Sequence, residues 1–235
     1  MKLSPLDTER WKVPTAKVPH VSAAEVPALL AQCRAQGVRF LIARCPTSEL
    51  ATAQALERAG FELMDTLVYF SRRLDAEPPE ASIAVRAAAP GEHGAVKDVA
   101  SRAFAGYFGH YHADPRLERG ACDAVYVDWA ERSCQSREVA DEVLVGTVDG
   151  TIAAFATLRL NDAEEGEGVL FGVSPEAQGR GVYRALMLGA MRWFKARSRA
   201  RMVVSTQINN IAVQKVWSRL GFEPSQSWYT FHKWL

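Results

Sequence analysis

Apolar positions along the chain change their spacing several times, and each change marks an element. Ser22 with Glu25 three residues later forms a capping box, and Val26, Leu29, Leu30 and Cys33 then recur at helical spacing until Gly37. Val38 to Cys45 is strand-like and closes at Pro46-Thr47-Ser48. Glu49 to Arg58 reads as a helix stopped at Gly60, and Leu67 to Phe70 as a strand. Residues 1–20, with Pro5, Pro14 and Pro19, read as an irregular entry, and Asp75-Ala76-Glu77-Pro78-Pro79-Glu80 as a linker without apolar period. Beyond it, Ile83 to Arg86 is a strand and Pro90 to Ala105 a helix burying Val96, Val99, Ala100 and Phe104. Asp114-Pro115 is placed to cap another helix, with Leu117, Ala121, Val125 and Trp129 on one stripe. Val143 to Val148 and Ile152 to Leu158 flank Asp149-Gly150, a two-residue hairpin signal. An acidic loop, Asn161 to Glu167, precedes the apolar run Val169 to Val173. A helix from Val182 to about Arg199 then buries Leu186, Ala190, Trp193 and Phe194.

One pattern occurs twice. Arg39 to Cys45, a helix, Ala59-Gly60-Phe61-Glu62 and a strand form the first copy. Arg201 to Gln207, a helix, Leu220-Gly221-Phe222-Glu223 and Trp228 to Phe231 form the second. The first lacks a glycine-rich turn. The expected organisation is a small truncated α/β unit over residues 1–78 and a complete unit over residues 79–235.

Composition narrows the function classes. The chain has 235 residues and a formal net charge of +1, which gives no electrostatic footprint for nucleic acid or an anionic membrane. Cys33, Cys45, Cys122 and Cys134 are scattered without Cys-x-x-Cys spacing, which argues for a reducing compartment and against a zinc site. No apolar signal core or membrane-length run is present, so a cytoplasmic location is expected.

The most informative stretch is Val173-Ser174-Pro175-Glu176-Ala177-Gln178-Gly179-Arg180-Gly181-Val182-Tyr183-Arg184, a strand, a glycine-rich turn and a helix start. Such a turn lets backbone N–H groups and the positive end of a helix approach an anion. A P-loop needs Lys-Ser or Lys-Thr after its last glycine, where Val182-Tyr183 stands, and a dinucleotide turn needs a third glycine at Arg184. The turn resembles the Gln/Arg-x-x-Gly-x-Gly/Ala signature of the GCN5-related N-acetyltransferases, with Tyr183 where Gly or Ala is usual. Downstream, Asn210-Ile211-Ala212-Val213-Gln214-Lys215-Val216-Trp217-Ser218-Arg219-Leu220-Gly221-Phe222 resembles that family's second signature at Asn210, Gly221 and Phe222. Trp217 replaces the tyrosine that often protonates the leaving thiolate there. An indole N–H donates a hydrogen bond but gives up no proton near neutral pH.

The resemblance implies a mixed α/β (α+β) fold with a central, mostly antiparallel twisted sheet flanked by helices. It also implies acetyl-CoA or another short acyl-CoA as co-substrate, no metal, and direct attack by an amine. Phe171, Gly172, Val173, Gln178, Gly179, Arg180, Gly181, Val182, Tyr183, Arg184, Asn210 and Trp217 would then be the cofactor-binding residues. Gly172 is consistent with a bulge or a close backbone approach. The layout as a whole resembles sugar-nucleotide N-acyltransferases of the TDP-fucosamine acetyltransferase type. These carry an incomplete copy of the unit ahead of a complete one, and the opening Leu6-Asp7-Thr8-Glu9-Arg10-Trp11 fits that group. The implied acceptor is a nucleotide-linked amino-deoxysugar for polysaccharide biosynthesis, and a homodimer is compatible with this. The substrate contacts would be Tyr107, Tyr111, Asp114, Arg116, Tyr126 and Gln207. A small amine, amino acid or peptide N-terminus as acceptor, or an idle acyl-CoA-binding module, are the alternatives.

Several groups are candidates for moving protons. His110, His112, Asp114, Glu165 and Glu167 are candidate bases, histidine because it titrates in the useful range. Water, Tyr183 or Tyr229 could stand in for the missing acid. No serine or cysteine lies in a nucleophile motif.

Overall fold

The computed structural model describes residues 1–235. The N-terminal part comprises β1 (Lys2–Leu3), α1 (Pro5–Trp11), β2 (Thr15–Val18), α2 (Val26–Ala35), β3 (Phe40–Pro46), α3 (Leu50–Arg58) and β4 (Glu62–Arg73). Then follow β5 (Val85–Ala87), α4 (His93–Ala103), α5 (His110–Ala113), α6 (Arg119–Gln135), β6 (Glu142–Val148), β7 (Thr151–Leu160) and β8 (Glu165–Val173). The chain ends with α7 (Val182–Lys195), β9 (Arg201–Gln207), α8 (Ile211–Arg219) and β10 (Glu223–Trp234). No helix is long and apolar enough to cross a membrane.

All ten strands join one sheet, in the order β1-β2-β3-β10-β4-β9-β8-β7-β6-β5. Only β2–β3 and β8–β9 pair in parallel; every other neighbouring pair is antiparallel. The fold is therefore mixed α/β, a mostly antiparallel sheet flanked by helices. The repeat seen in the sequence has a structural counterpart. β3-α3-β4 and β9-α8-β10 have the same element lengths: 7, 9 and 12 residues in each. Each helix ends on a left-handed glycine, Gly60 and Gly221, both at φ +76°. The two copies exchange their last strands. β10 lies between β3 and β4, and β4 lies between β10 and β9. The copies are thus consecutive in sequence but interleaved in the sheet.

Helices cover both faces. Alternation along β3 sends Leu41, Ala43 and Cys45 towards α2 and α3, and Phe40 and Ile42 towards α4 and α6. α7 and α8 cover the sheet through Leu186, Met187, Met191, Phe194, Trp217 and Leu220.

The structure differs from expectation at several element boundaries. Residues 1–20 contain α1 and two strands rather than an irregular entry, with Pro5 at the start of α1, where its missing N–H costs nothing. The helix expected from Asp114-Pro115 begins at Arg119, because Glu118 accepts the N–H groups of Gly120 and Ala121 at 2.8 and 2.6 Å. Its buried stripe is Cys122, Val125, Tyr126, Ala130 and Ser133 rather than Ala121 and Trp129. The acidic loop ends early, since Glu165 and Glu167 already lie in β8.

Phe231 is buried on β10 at the point where the two copies interlock. Phe231→Ala is expected to cost about 3–5 kcal/mol in urea unfolding; a loss below about 1 kcal/mol would contradict this account of the interlocked core.

Candidate active site

The site begins where two strands part. β8 and β9 pair in parallel from Glu165↔Arg201 to Gly168↔Val204 and no further. Each continues on its outer side, β8 against β7 to Val173 and β9 against β4 to Gln207. The cause lies next to Gly168. β7 passes from Thr157↔Leu170 to Leu158↔Gly168, so Val169 is left over as a bulge that bends β8 away. The bulge falls at Val169 and not at Gly172. At Gly172 a Cβ would lie 2.5 Å from the Phe155 ring, so that glycine permits packing beneath the strand.

Beyond the opening, β8 runs into the glycine turn. Gly179 and Gly181 take φ +73° and +82°, and a Cβ at either would meet nothing within 4 Å. Gly181 is the N-cap of α7, and no side chain satisfies the first N–H groups of that helix. An open backbone surface at an uncapped helix start fits a pyrophosphate, so these residues suit acyl-CoA. Gln178 is exposed and its amide donates weakly to the Val173 carbonyl at 3.4 Å. Arg180 and Arg184 are exposed, Arg180 only 3.4 Å from Asp149. The Val182 side chain belongs to the core, leaving its backbone to face the turn.

A cavity of about 360 Å³ passes through the parted strands. On the α7–α8 side it is lined by Phe171, Tyr183, Asn210, Val213 and Trp217. On the α4–α6 side it is lined by Tyr107, His110, Tyr111, Tyr126 and Trp129, with Gln207 between. Trp217 Nε1–H donates to the Tyr183 hydroxyl at 2.9 Å. Because the Tyr183 oxygen accepts there, its own proton is directed elsewhere. Burial pushes the Tyr183 pKa well above the usual tyrosine range, only partly offset by the Trp217 bond, so the hydroxyl stays protonated. Tyr229 packs with the α2–α3 core and does not line the cavity.

His110 ends a buried relay. Its Nδ1 is 2.9 Å from His232 Nε2, and His232 Nδ1 is 3.0 Å from Asp114 Oδ2. A carboxylate only accepts, so His232 Nδ1 carries the hydrogen and its Nε2 accepts one from His110 Nδ1. That leaves the lone pair of His110 on Nε2. Burial, then the positive charge of a protonated His232 and of Arg44 and Lys17, drives the His110 pKa well below 6.5. Burial also lowers that of His232, against the pull of Asp114.

Other expected site residues are placed elsewhere. Asp114 is buried, and bonds from His232, Arg116 and Trp234 hold its carboxyl ionised against burial, so it orients His232 and does not reach the cavity. Arg116 is taken up by Asp114 and Glu62 and lies over Trp234, also away from the cavity. His112 uses both nitrogens, Nδ1 accepting from the Gly109 N–H at 3.1 Å and Nε2 meeting Asp123 at 3.0 Å, and so has no free lone pair. Glu167 does not line the cavity; burial raises its carboxyl pKa. Glu165 is paired with Arg201 at 2.7 Å. The Tyr107 hydroxyl donates to Gln207 Oε1, and burial pushes its pKa up to about 12. His232 and the wall residues Asp7, Arg10, Lys17 and Arg44 were not among the expected site residues. Only the opening Leu6–Trp11 carried a hint of them; nothing local marks a lone histidine near the C-terminus.

The chain is similar to known proteins in sequence and fold. The profile of the acetyltransferase (GNAT) family matches residues 108–222. The spore coat polysaccharide biosynthesis protein SpsD of Bacillus subtilis is 23% identical over 145 residues, covering 62% of this chain and 48% of that protein. A mycothiol acetyltransferase of Beutenbergia cavernae is 36% identical over 76 residues, covering 32% of this chain and 26% of that protein. The chain thus spans about half or less of the curated relatives it matches. Among solved structures, a GCN5-related N-acetyltransferase from Sphaerobacter thermophilus superposes with a TM-score of 0.62 at 16% identity, covering 90% of this chain and 68% of that one.

Gly181→Ala puts a side chain in the left-handed region at a cost of about 1–2 kcal/mol and crowds the N–H surface. We expect CoA affinity to fall at least tenfold by calorimetry, which is about 1.4 kcal/mol, with only a few degrees lost in Tm. Unchanged affinity would remove the turn from the binding site.

Proposed function

Residues 108–222 belong to the acetyltransferase (GNAT) family, and on that footing we propose that this chain moves an acetyl or other short acyl group from acyl-CoA to the amino group of a nucleotide-linked amino-deoxysugar. The observation that carries the reading is one continuous cavity. It passes through the parted strands, from Tyr183 on the first turn of α7, two residues after Gly181, to His110 at the end of the relay.

Bound acyl-CoA would supply a thioester carbonyl; the chain supplies position and protons. Gly179, Gly181 and the α7 start would hold the pyrophosphate, while the unpaired inner edges of β8 and β9 offer backbone groups to the rest of the cofactor. His110 Nε2 takes the proton that the attacking amine must lose. Tyr183 takes the place of the absent tyrosine at residue 217, its hydroxyl donating to the departing sulfur and held by the Trp217 N–H. Transfer is direct. No cysteine lines the cavity, and burial pushes the Cys45, Cys122 and Cys134 thiols up to about 11. Tyr107, Tyr111 and Tyr126 present aromatic surface and hydroxyl groups to a sugar or base. The relation to a polysaccharide biosynthesis protein supports a sugar acceptor.

His110→Ala should lower kcat/KM by about 10²–10³-fold. Because its pKa is depressed, His110 remains a base as pH falls through 6.5. The gap between wild type and variant should therefore persist below that pH. A gap that closes at or above pH 6.5 would remove His110 from the role. Tyr183→Phe should cost kcat about 10²-fold and Trp217→Phe about tenfold, with CoA affinity kept. A three-order loss in Trp217→Phe with the fold intact would make the indole itself the essential group. Steady-state rates on amino-sugar nucleotides set against simple amines test the acceptor, and no rate on any sugar nucleotide would overturn it.

A further inference from the structure

The α4–α6 end of the cavity carries more charge than bears on His110. Four cations line it, Arg10, Lys17, Arg44 and Arg132, against two carboxylates, Asp7 and Asp128. Three of the cations are already engaged. Lys17 meets Asp7 at 2.6 Å, Arg10 meets Asp128 at 2.6 Å, and Arg132 meets the same Asp128 at 3.2 Å. Arg44 is different. Its guanidinium has no carboxylate within 4.0 Å and makes no hydrogen bond to any residue, although the side chain is half-buried. An unpaired guanidinium in the cavity wall is free to take an anion, and its fork offers two N–H groups at once.

Its position indicates which anion. Arg44 lies opposite Thr230 on β3, and alternation puts it on the same face as Phe40 and Ile42, the α4–α6 side. The glycine cradle opens at the start of α7, which packs on the other side of the sheet. A phosphate of CoA held at that cradle would therefore not be the partner of Arg44. With Lys17 and Arg10 alongside, the wall has an excess of two positive charges, which matches a phosphoryl dianion better than a single carboxylate. The planar fork of arginine also suits two phosphate oxygens at once.

We propose that Arg44, flanked by Lys17 and Arg10, is a subsite for a phosphoryl group of the acceptor, built by the N-terminal strands and helix that lie outside the matched family region. It rests on the acyl-transfer reading only in assigning that phosphoryl group to the acceptor. In this arrangement α1, β2 and β3 recognise the acceptor's anionic end, while the parted strands present the acyl donor to its amine.

The test is calorimetric titration of the whole chain with inorganic pyrophosphate, with and without saturating CoA, at two salt concentrations. Wild type should bind pyrophosphate with CoA present, more weakly at higher salt. Arg44→Ala should lose at least tenfold in that affinity, and Arg44→Lys should recover part of it. CoA affinity and Tm should stay at wild-type values in both variants, which shows that the fold is intact. Pyrophosphate that binds equally to wild type and Arg44→Ala, or not at all once CoA is present, overturns the subsite. Failure of wild type to bind CoA would instead sink the acyl-transfer reading, and Arg44-dependent pyrophosphate binding in CoA-free protein would still support the anion subsite.

Discussion

Backbone groups in a sheet interior normally find partners across the strand gap, and leaving them dry and unpaired is expensive. β8 and β9 leave theirs free beyond Gly168 and Val204 because the extra residue at Val169 bends β8 off its neighbour. The edges so freed face a cavity instead of a core. Everything else in the site is arranged around this opening. It turns a wall between two layers of helices into a passage, and under the proposed function a donor at the start of α7 and an acceptor beside α5 and α6 would meet there. The outer edges of the two strands stay paired, so only the facing edges are left open.

The second constraint is the exchange of strands between the two copies. Since β10 is inserted between β3 and β4, its alternating residues face groups from both halves of the chain. Phe231 enters the α2–α3 core, while its neighbour His232 faces the other way, into the relay between Asp114 and His110. The same arrangement puts Arg44 of the first copy against Thr230 of the second. The relay is thereby built from elements that lie more than a hundred residues apart.

Local chemistry made much of this readable. The Ser22–Glu25 capping box forms as expected, with the Ser22 N–H donating to Glu25 at 2.9 Å, and Asp149-Gly150 turns the β6–β7 hairpin. The glycine turn, the matching Gly60 and Gly221, and the paired strand–helix–strand copies all depend on residues close in sequence. What misled was also local. Asp114 looks like a helix cap, yet its carboxylate is claimed by His232, Trp234 and Arg116, two of which arrive from the far end of the chain. Glu118 then does the capping.

The sequence alone determined the fold class, the repeated unit and the place of the glycine-rich turn at the start of a helix, because each rests on short-range patterns of glycine, alternation and helical spacing. Tertiary structure decided which titratable groups could act. Of the candidate bases, His110 lines the cavity, since His112 spends both nitrogens locally and Asp114 is buried beneath His232. It also decided that Tyr183 would meet Trp217, a pairing across 34 positions that neither residue signals. Burial, tautomer and an unpaired guanidinium are properties of neighbours in space, and strand exchange chose those neighbours.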